Sequence, residues 1–454
     1  MSVLPTQAAE PIESIDQLVA YHASGAKPKN GLLIGTEHEK FVIDKNTHQV
    51  VPYEGANGIK ALLQGMTRFG YEPVMEGETL IGLQRGRESI SLEPAGQYEL
   101  SGAPLSHLHE MSDELDKHID ESTQIADELG VTFMPIGYHP TADVNELPWM
   151  PKGRYKIMRE YMPKVGTRGL EMMQLTCTTQ ANLDFTSEAD MVRKMRVSLA
   201  LQPVAAALFA NSPFAKGKLA GRYGNRFSVW SDVDNARCGI PPVVYEDGFN
   251  FERYVQYALD VPMYFVYRDS TYIDCAGQSF RDFMAGKLPA LPGKKPQMFD
   301  YINHLTTMFP DVRLKTYIEM RGADVGNAAM IKALPALWVG LLYDDTAFNQ
   351  AEALIKDWNL QQINEARANV PSQGMDTMIG KQKMFAVVKQ VVTLAVQGLR
   401  RRALRNSNGA DETRYLEPLL TLIDIEQTEA ERLISLFNSE WNQDINPVFT
   451  TVKL

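Results

Sequence analysis

The chain has 454 residues, with 45 lysine and arginine residues against 56 aspartate and glutamate residues, so its formal net charge is −11. Its 44% hydrophobic and 22% charged residues are ordinary for a folded protein and exclude a largely disordered chain. The acidic balance argues against a nucleic-acid partner. No run reaches about 18 apolar residues, so we expect no membrane-spanning helix.

Three isolated cysteines, Cys177, Cys238 and Cys275, are too few for a disulfide framework, and their spacing excludes a CxxC zinc or redox motif. Unpaired cysteines together with 21 methionines suit a reducing compartment. The N-terminus lacks a basic start followed by an apolar core, so we expect no signal peptide and a cytoplasmic location.

The predicted elements begin with a tail and a short helix within residues 1–30. The helix predicted over residues 105–129 has apolar residues at helical spacing and ends at Gly130. A second helix is predicted over 187–209, with Ser187 as its N-cap and a kink at Pro203. Strands, one of them a hairpin, are predicted over residues 31–43, 88–93, 131–137, 172–185, 264–274 and 314–321.

From residue 331 onward, most apolar residues recur at helical spacing. Mixed strands therefore fill residues 31–330 and helices fill 331–454, which is typical of an α+β fold. Because composition does not shift sharply along the chain, we predict one elaborated domain over residues 1–454.

Polar residues two apart interrupt several predicted strands. Because strand side chains alternate between faces, residues at i and i+2 share one face. The pattern occurs in four segments: Glu37 with Glu39, Ser89 and Ser91 with Glu93 (and Glu99 beyond a turn), Gln180 with Asn182, and Glu319 with Arg321.

If these strands share a sheet, one face collects several carboxylates, two amides and an arginine. Buried like charges are unfavourable unless compensated, and oxygen-bound divalent cations are the usual compensation. Magnesium commonly bridges carboxylates to substrate phosphates, and an arginine beside it suits a transferring phosphoryl group. The sequence therefore favours a Mg²⁺–nucleotide site.

Simpler interpretations exist for each segment. A pair such as Glu37 and Glu39 can lie on a solvated sheet face, and Glu319 with Arg321 can be a same-face ion pair. A non-catalytic acidic scaffold is the corresponding alternative for the whole protein. No GxxxxGK[ST] or GxGxxG motif is present. His107, His109 and His118 of the predicted helix are expected at the surface.

Long motifs resemble the plant-type glutamate–cysteine ligase family. The matching segments run in unbroken order: IGTEHEKF (34–41), GLQRGRESISLEPAGQYELSGAPL (82–105), MPKGRYKIMREYMPKVG (150–166), TCTTQANLDF (176–185), ALFANSPF (207–214), YALDVPMYFVYR (257–268), FRDFMAGKLP (280–289) and YIEMRGAD (317–324). The lack of a transit peptide favours a bacterial member.

The resemblance implies ATP-dependent joining of the γ-carboxyl group of glutamate to the amine of cysteine through a γ-glutamyl phosphate, the first step of glutathione biosynthesis. It also implies Mg²⁺ and a fold like glutamine synthetase and guanido kinases, in which a curved antiparallel sheet forms a funnel wrapped by helices. A related ATP-dependent ligase using another amine acceptor, or a guanidino kinase, is the alternative.

The resemblance also implies roles for individual residues. Those resembling metal ligands are Glu37, Glu39, Glu93 and Glu319, with Glu99 as a further candidate. Arg321 is expected near the phosphoryl group, and Glu319 and Arg321 are the predicted catalytic pair. The predicted substrate-binding residues are Arg226, which would grip a glutamate carboxylate, Arg154, Tyr155, Gln180 and Asn182.

Plant members carry regulatory disulfides, and this chain departs from that pattern. Cys275 matches one half of an internal pair, but Ala290 stands in place of its partner, and Ser112 and Lys332 replace the pair linked to dimerisation. We therefore expect no thiol switch, and a monomer or a non-covalent homodimer. Cys177 is expected to be a buried thiol.

Overall fold

A computed structural model describes residues 10–454. Its strands are β1 (Ile34–Asp44), β2 (Glu72–Glu76), β3 (Thr79–Arg85), β4 (Glu88–Leu92), β5 (Tyr98–Ser101), β6 (Val131–Met134), β7 (Thr178–Leu183), β8 (Phe214–Ala215), β9 (Lys218–Leu219), β10 (Cys238–Gly239), β11 (Phe265–Arg268), β12 (Thr271–Asp274), β13 (Phe309–Pro310), β14 (Val312–Leu314), β15 (Ile318–Asp324), β16 (Met378–Ile379) and β17 (Gln382–Lys383).

The α-helices are distributed along the whole described chain and are densest near its C-terminus. They are α1 (Ile15–Ala23), α2 (Ile59–Met66), α3 (Leu108–Leu129), α4 (Gly153–Tyr161), α5 (Gly169–Leu175), α6 (Glu188–Ala200), α7 (Gln202–Leu208), α8 (Asn225–Val229), α9 (Phe251–Asp260), α10 (Phe280–Met284), α11 (Met298–Thr306), α12 (Ala328–Leu342), α13 (Asp345–Ile355), α14 (Leu360–Gln373), α15 (Met384–Arg402), α16 (Glu417–Ile425), α17 (Glu429–Asn438) and α18 (Val448–Thr451).

One antiparallel sheet, with strands of different lengths, forms the centre of the fold. Its strand order is β14-β15-β7-β1-β5-β4-β3-β2, and β6 pairs with the second half of β1. The first half of β1 pairs with both β7 and β5, so β1 lies at the centre of the sheet. Within residues 10–454, β14 and β2 end this order without pairing to each other, so the sheet is open. The predicted α+β class with an antiparallel sheet is confirmed.

Several element boundaries follow the sequence signals. His107 caps the start of α3 by accepting from the backbone N–H of Glu110, and Gly130 ends the helix in the left-handed conformation at φ 69°. The predicted helix over 187–209 breaks into α6 and α7 at Leu201, because a new helix begins at Gln202 with Pro203 in its first turn.

Two predicted strands are wrong over part of their length. Residues 169–175 form α5 before β7 begins at Thr178, because the short apolar run around Met173 packs equally well as a buried helix. The predicted strand 314–321 is two strands, β14 and β15, joined by a turn at residues 315–317.

The surface position expected for the α3 histidines is also wrong for two of them. His118 is fully buried because it faces Lys40 of β1, and His109 is nearly so because it packs against Tyr415. Among residues 10–454, none of the helices has the length and apolar character needed to cross a bilayer.

Helices α12 and α15 pack so closely that a glycine is required at their contact. A Cβ atom on Gly398 would lie 1.8 Å from the carbonyl oxygen of Gly340, which is backbone and cannot rotate away. We predict that Gly398→Ala lowers the free energy of unfolding by about 1–3 kcal/mol, because overpacking outweighs the better helix propensity of alanine. Urea unfolding measures the change, with exposed Gln397→Ala on the same helix as control. Equal stability of Gly398→Ala and the native chain would contradict this packing.

Candidate active site

A funnel with a cavity volume of about 150 Å³ lies over one face of the main sheet. The strands supply its polar floor, and α4, α5, α8 and β12 supply its walls. Its polar lining includes Glu37, Glu39, Glu76, Ser91, Glu93, Gln97, Glu99, Lys152, Arg154, Tyr155, Thr176, Thr178, Gln180, Arg226, Thr306, Arg313, Lys315 and Arg321. Most of the predicted site residues are therefore brought together on one surface.

Four carboxylates form an acidic wall, by which we mean Glu37, Glu39, Glu93 and Glu99. Glu37 and Glu39 are two apart on β1 and point to the same face, while β5 places Glu99 directly opposite Glu39. Glu93 follows β4, the next strand. The period-two argument from the sequence and the antiparallel register together explain why these distant residues meet.

Neutral donors hold the wall from both sides. The Asn182 Nδ2 atom donates to Glu37 Oε1 at 2.8 Å, and the backbone N–H of Thr178 donates to Glu39 Oε2 at 2.9 Å. The Ser91 hydroxyl donates to Glu99 Oε2 at 2.7 Å. These bonds fix the carboxylates in place without supplying the positive charge that would offset their repulsion.

The pKa values of Glu37 and Glu39 show the effect of this shortage of positive charge. Burial, followed by the neighbouring charges of Glu319 and Glu99, raises the pKa of Glu37. Burial, followed by Glu93 and Glu99, raises the pKa of Glu39 well above its usual range. For these two carboxyl groups, desolvation and like charge outweigh the opposing effects of Lys315 and Arg226, so this part of the wall favours the binding of an external cation.

The oxygen atoms available as metal ligands suit a hard divalent cation. Carboxylate oxygens line the wall, and the buried Asn182 Oδ1 atom has no hydrogen-bond partner. Within residues 10–454, however, no three His, Cys, Asp or Glu side chains already stand in an arrangement that could hold a metal ion. The residues present fit such an ion chemically, and binding one would require their side chains to draw together.

The opposite end of the sheet is basic. We call Arg313, Lys315 and Arg321, which surround the carboxylate of Glu319, the cationic end. Arg313 contacts Glu319 through two donors at 2.5 and 2.9 Å. Arg321 and Lys315 lie 3.3 and 3.5 Å from the same carboxylate.

Glu319 is fully buried beneath these cations and is absent from the funnel lining. Burial alone would raise its pKa, but Arg313, Lys315 and Arg321 together hold the pKa well below its usual range. In this arrangement Glu319 orients the cations, and its predicted role as a metal ligand stays a prediction. Arg321 also donates to Gln180 Oε1 at 2.5 Å, which ties the cationic end to β7.

Arg226 presents unused donors inside the funnel. This residue of α8 is 2% exposed, and its Nη2 atom donates to the carbonyl oxygen of Arg321 at 3.1 Å. Its Nε and Nη1 atoms have no hydrogen-bond partner, although Asp324 Oδ1 lies 3.9 Å from Nη1. A buried guanidinium with free donors is suited to a planar anion such as a carboxylate.

Arg154 and Tyr155, which were both predicted to bind substrate, lie at the start of α4. Their side chains make different contacts. The Tyr155 hydroxyl donates to the carbonyl oxygen of Leu92 at 2.5 Å, and Lys152 donates to the same oxygen at 2.7 Å. These bonds fix the end of β4 next to Glu93. The Arg154 guanidinium lies over the ring of Phe265 at 5.2 Å.

Sequence reasoning missed Lys152, Arg313 and Lys315. Arg313 and Lys315 are two apart in the sequence, the same spacing that identified Glu319 and Arg321, so the signal was available. It also missed an apolar side of the funnel formed by Met158, Met172, Met173, Trp230 and Phe309.

The raised pKa of Glu39 predicts a pH-dependent destabilisation of the metal-free protein. A carboxyl group whose pKa is raised on folding contributes stability below the ordinary value of 4.5, and this contribution is lost as the pH rises through the folded-state pKa. Glu39→Gln removes the ionisation. We therefore expect the variant, in the presence of EDTA, to gain stability over the native protein as the pH rises from 5 to 8.

Thermal melts across that pH range measure the difference, and Mg²⁺ should stabilise the native protein more than the variant. Exposed Glu72→Gln on β2 is the control. Parallel melting profiles for Glu39→Gln and the native protein would contradict the repulsion described here.

Comparisons with known proteins place the chain among glutamate–cysteine ligases. Residues 33–451 match the glutamate–cysteine ligase family 2 (GCS2). The chain is 50% identical over 443 residues to the chloroplastic glutamate–cysteine ligase of Nicotiana tabacum, covering 97% of this chain and 83% of that protein. The corresponding Arabidopsis thaliana protein is also 50% identical, with the same coverage.

A solved structure supports the fold independently. The glutamate–cysteine ligase of Francisella tularensis in complex with AMP superposes with a TM-score of 0.55 at 13% identity, covering 94% of this chain and 89% of that one. At this identity the likeness concerns the fold, an antiparallel sheet with helices packed around it.

Proposed function

The chain belongs to glutamate–cysteine ligase family 2, and from that premise we propose that its funnel joins the γ-carboxyl group of glutamate to the amine of cysteine using ATP. The observation that carries the proposal is the meeting, in a single funnel, of an acidic wall, a cationic end and the Arg226 guanidinium, whose Nε and Nη1 atoms make no hydrogen bond. A metal–nucleotide complex and an amino-acid carboxylate have complementary charges to these three parts.

Mg²⁺ is the ion that we propose for the wall. Glu37, Glu39, Glu93 and Glu99 would hold it, and Asn182 and Gln180 would support it from β7. Glu319 is retained as a predicted ligand, although its contacts with Arg313 favour an orienting role. Bound Mg²⁺ would neutralise the ATP phosphates and polarise the transferring phosphoryl group.

Arg226 is the residue that we propose for a glutamate carboxylate, with Arg154 as a second anion contact. Both side chains line the funnel. Holding the carboxylate at one point fixes where the γ-carboxylate lies relative to the phosphates, which supplies much of the rate enhancement in phosphoryl transfer.

The chemistry then has two steps. A γ-carboxylate oxygen attacks the γ-phosphorus of ATP, ADP leaves with the bridging oxygen, and Arg321 stabilises charge on the transferring group. The amine nitrogen of cysteine next attacks the acyl carbon, inorganic phosphate leaves and the amine loses its proton. No side-chain nucleophile is needed, which agrees with the full burial of Cys177.

Two alternatives give different results in one experiment. A coupled assay measures ADP release with glutamate alone, with glutamate and cysteine, and with other amine or guanidino acceptors. The proposal predicts that glutamate and cysteine together give the highest rate. Preference for another acceptor would support a related ligase or kinase, and absence of ADP release with no Mg²⁺·ATP thermal shift would support the acidic scaffold.

Arg226→Lys tests the proposed glutamate contact. Because lysine keeps the charge but loses the planar fork, we expect kcat/KM for glutamate to fall about 10²-fold, with KM for ATP much less affected. Arg222→Lys is the matched control, since Arg222 is exposed in the same segment. Equal losses for glutamate and ATP would contradict a carboxylate-specific role.

Because the cysteines are free thiols, we expect the protein's activity and oligomeric state to be insensitive to reducing agents. Cys177, Cys238 and Cys275 are all free thiols in the structure, and burial raises the pKa of both Cys238 and Cys275 to about 12. We expect dithiothreitol to leave both the ligase rate and the oligomeric state unchanged, as measured by ADP release and gel filtration. A clear loss of rate on reduction would show that a disulfide contributes.

A further inference from the structure

Helix α1 lies before the family-matched region, which begins at residue 33, yet it contacts the cationic end. The His22 Nδ1 atom is 2.8 Å from the carbonyl oxygen of Lys315, in the turn between β14 and β15. Just after the helix, Gly25 packs so tightly that a Cβ atom there would lie 2.1 Å from the carbonyl oxygen of Thr316. The N-terminal helix therefore supports this turn at two adjacent residues.

The His22 ring is fixed by its surroundings. Its Nε2 atom lies 2.9 Å from the Tyr301 hydroxyl, and the side chain is fully buried against the ring of Tyr254. A carbonyl oxygen can only accept, so Nδ1 carries the hydrogen and Nε2 accepts from Tyr301. Burial lowers the pKa of His22 to about 4, so the ring is neutral at pH 7 and is a fixed donor to the turn.

Lys315 itself projects into the funnel. Its side chain is 13% exposed, and its Nζ atom lies 3.2 Å from the Tyr317 hydroxyl and 3.5 Å from Glu319 Oε1. Burial and the neighbouring Arg313 act to lower its pKa, but Glu319, Tyr317 and Glu37 raise the pKa above its ordinary value. An ammonium group has three donors, so one remains for a ligand in the funnel.

We propose that Lys315 binds a phosphate oxygen of ATP, and that helix α1 positions it through the contacts of His22 and Gly25 with the 315–317 turn. This inference rests on the proposed function for the identity of the nucleotide. A compact ammonium suits a phosphate oxygen, whereas the planar guanidinium of Arg226 suits a carboxylate. Lys315 also neighbours Arg321, which places two cations together where phosphate charge must be stabilised.

The test measures the dissociation constant of a non-hydrolysable ATP analogue with Mg²⁺ by calorimetry, using the full chain. Lys315→Met should weaken binding about 10- to 100-fold, as expected for loss of a hydrogen bond to a charged group, and Lys315→Arg should recover part of it. His22→Leu should weaken binding by a smaller factor of about 3 to 10, because the lysine remains but its turn is less well ordered.

Gly25→Ala tests the positioning role without removing any polar group. It should weaken analogue binding as His22→Leu does, while Gly31→Ala should not, because a Cβ there meets only the Pro28 side chain at 3.3 Å. His22→Asn, which retains a side-chain N–H donor, should bind the analogue better than His22→Leu. In turnover assays, KM for ATP should rise while KM for glutamate stays within about twofold, a split that general destabilisation would not produce.

Unchanged analogue affinity in both Lys315→Met and Lys315→Gln would overturn the phosphate contact. Unchanged affinity in both His22→Leu and Gly25→Ala would overturn the positioning role of α1. Because analogue binding is measured without cysteine or turnover, a chain that binds the analogue but shows no cysteine-dependent ADP release would refute the proposed function and leave this inference standing.

Discussion

Mutual repulsion of carboxylates on adjacent strands is the constraint on which the candidate active site depends. Antiparallel pairing of β1 and β5 places Glu39 directly opposite Glu99, an arrangement that is unfavourable between ionised groups. Their hydrogen-bond donors, such as Ser91 and the backbone of Thr178, are neutral. The sheet therefore preserves an unfavourable charge distribution that a cation and its nucleotide can relieve.

Charge separation along the sheet gives the funnel its polarity. Glu319 has the opposite environment from the wall, because Arg313 and Arg321 contact its carboxylate directly. Removing either partner from such a buried cluster leaves an uncompensated charge. The same ion pairs hold the cationic side chains at fixed positions before any substrate enters, which limits the reorganisation needed during phosphoryl transfer.

The central part of the site was predictable because it depends on local periodicity. Alternation identified Glu37 with Glu39 and Glu319 with Arg321, since strand geometry fixes which side chains share a face. The pairing of distant strands depends on the whole fold, so the sequence alone indicated that these pairs could meet without establishing their register. The resemblance to a known family implied an antiparallel sheet, and the register became known only from the structure.

Other features could not be read from local patterns. The helix α5 occupies part of a predicted strand, because a short apolar run fits a buried helix or a strand equally well. The contact of His22 with Lys315 joins residues 293 positions apart, and nothing near His22 in the sequence distinguishes it from an ordinary core histidine. Burial of His118 likewise depends on how α3 packs on the sheet.

Anomalous diffraction from crystals soaked with Mn²⁺ and a non-hydrolysable ATP analogue would show whether the acidic wall binds a metal–nucleotide complex. We expect manganese peaks within ligating distance of the carboxylates of Glu39, Glu93 and Glu99, with the analogue's phosphates between those peaks and the cationic end. Manganese bound elsewhere, or phosphates lying away from the acidic wall, would contradict this expectation.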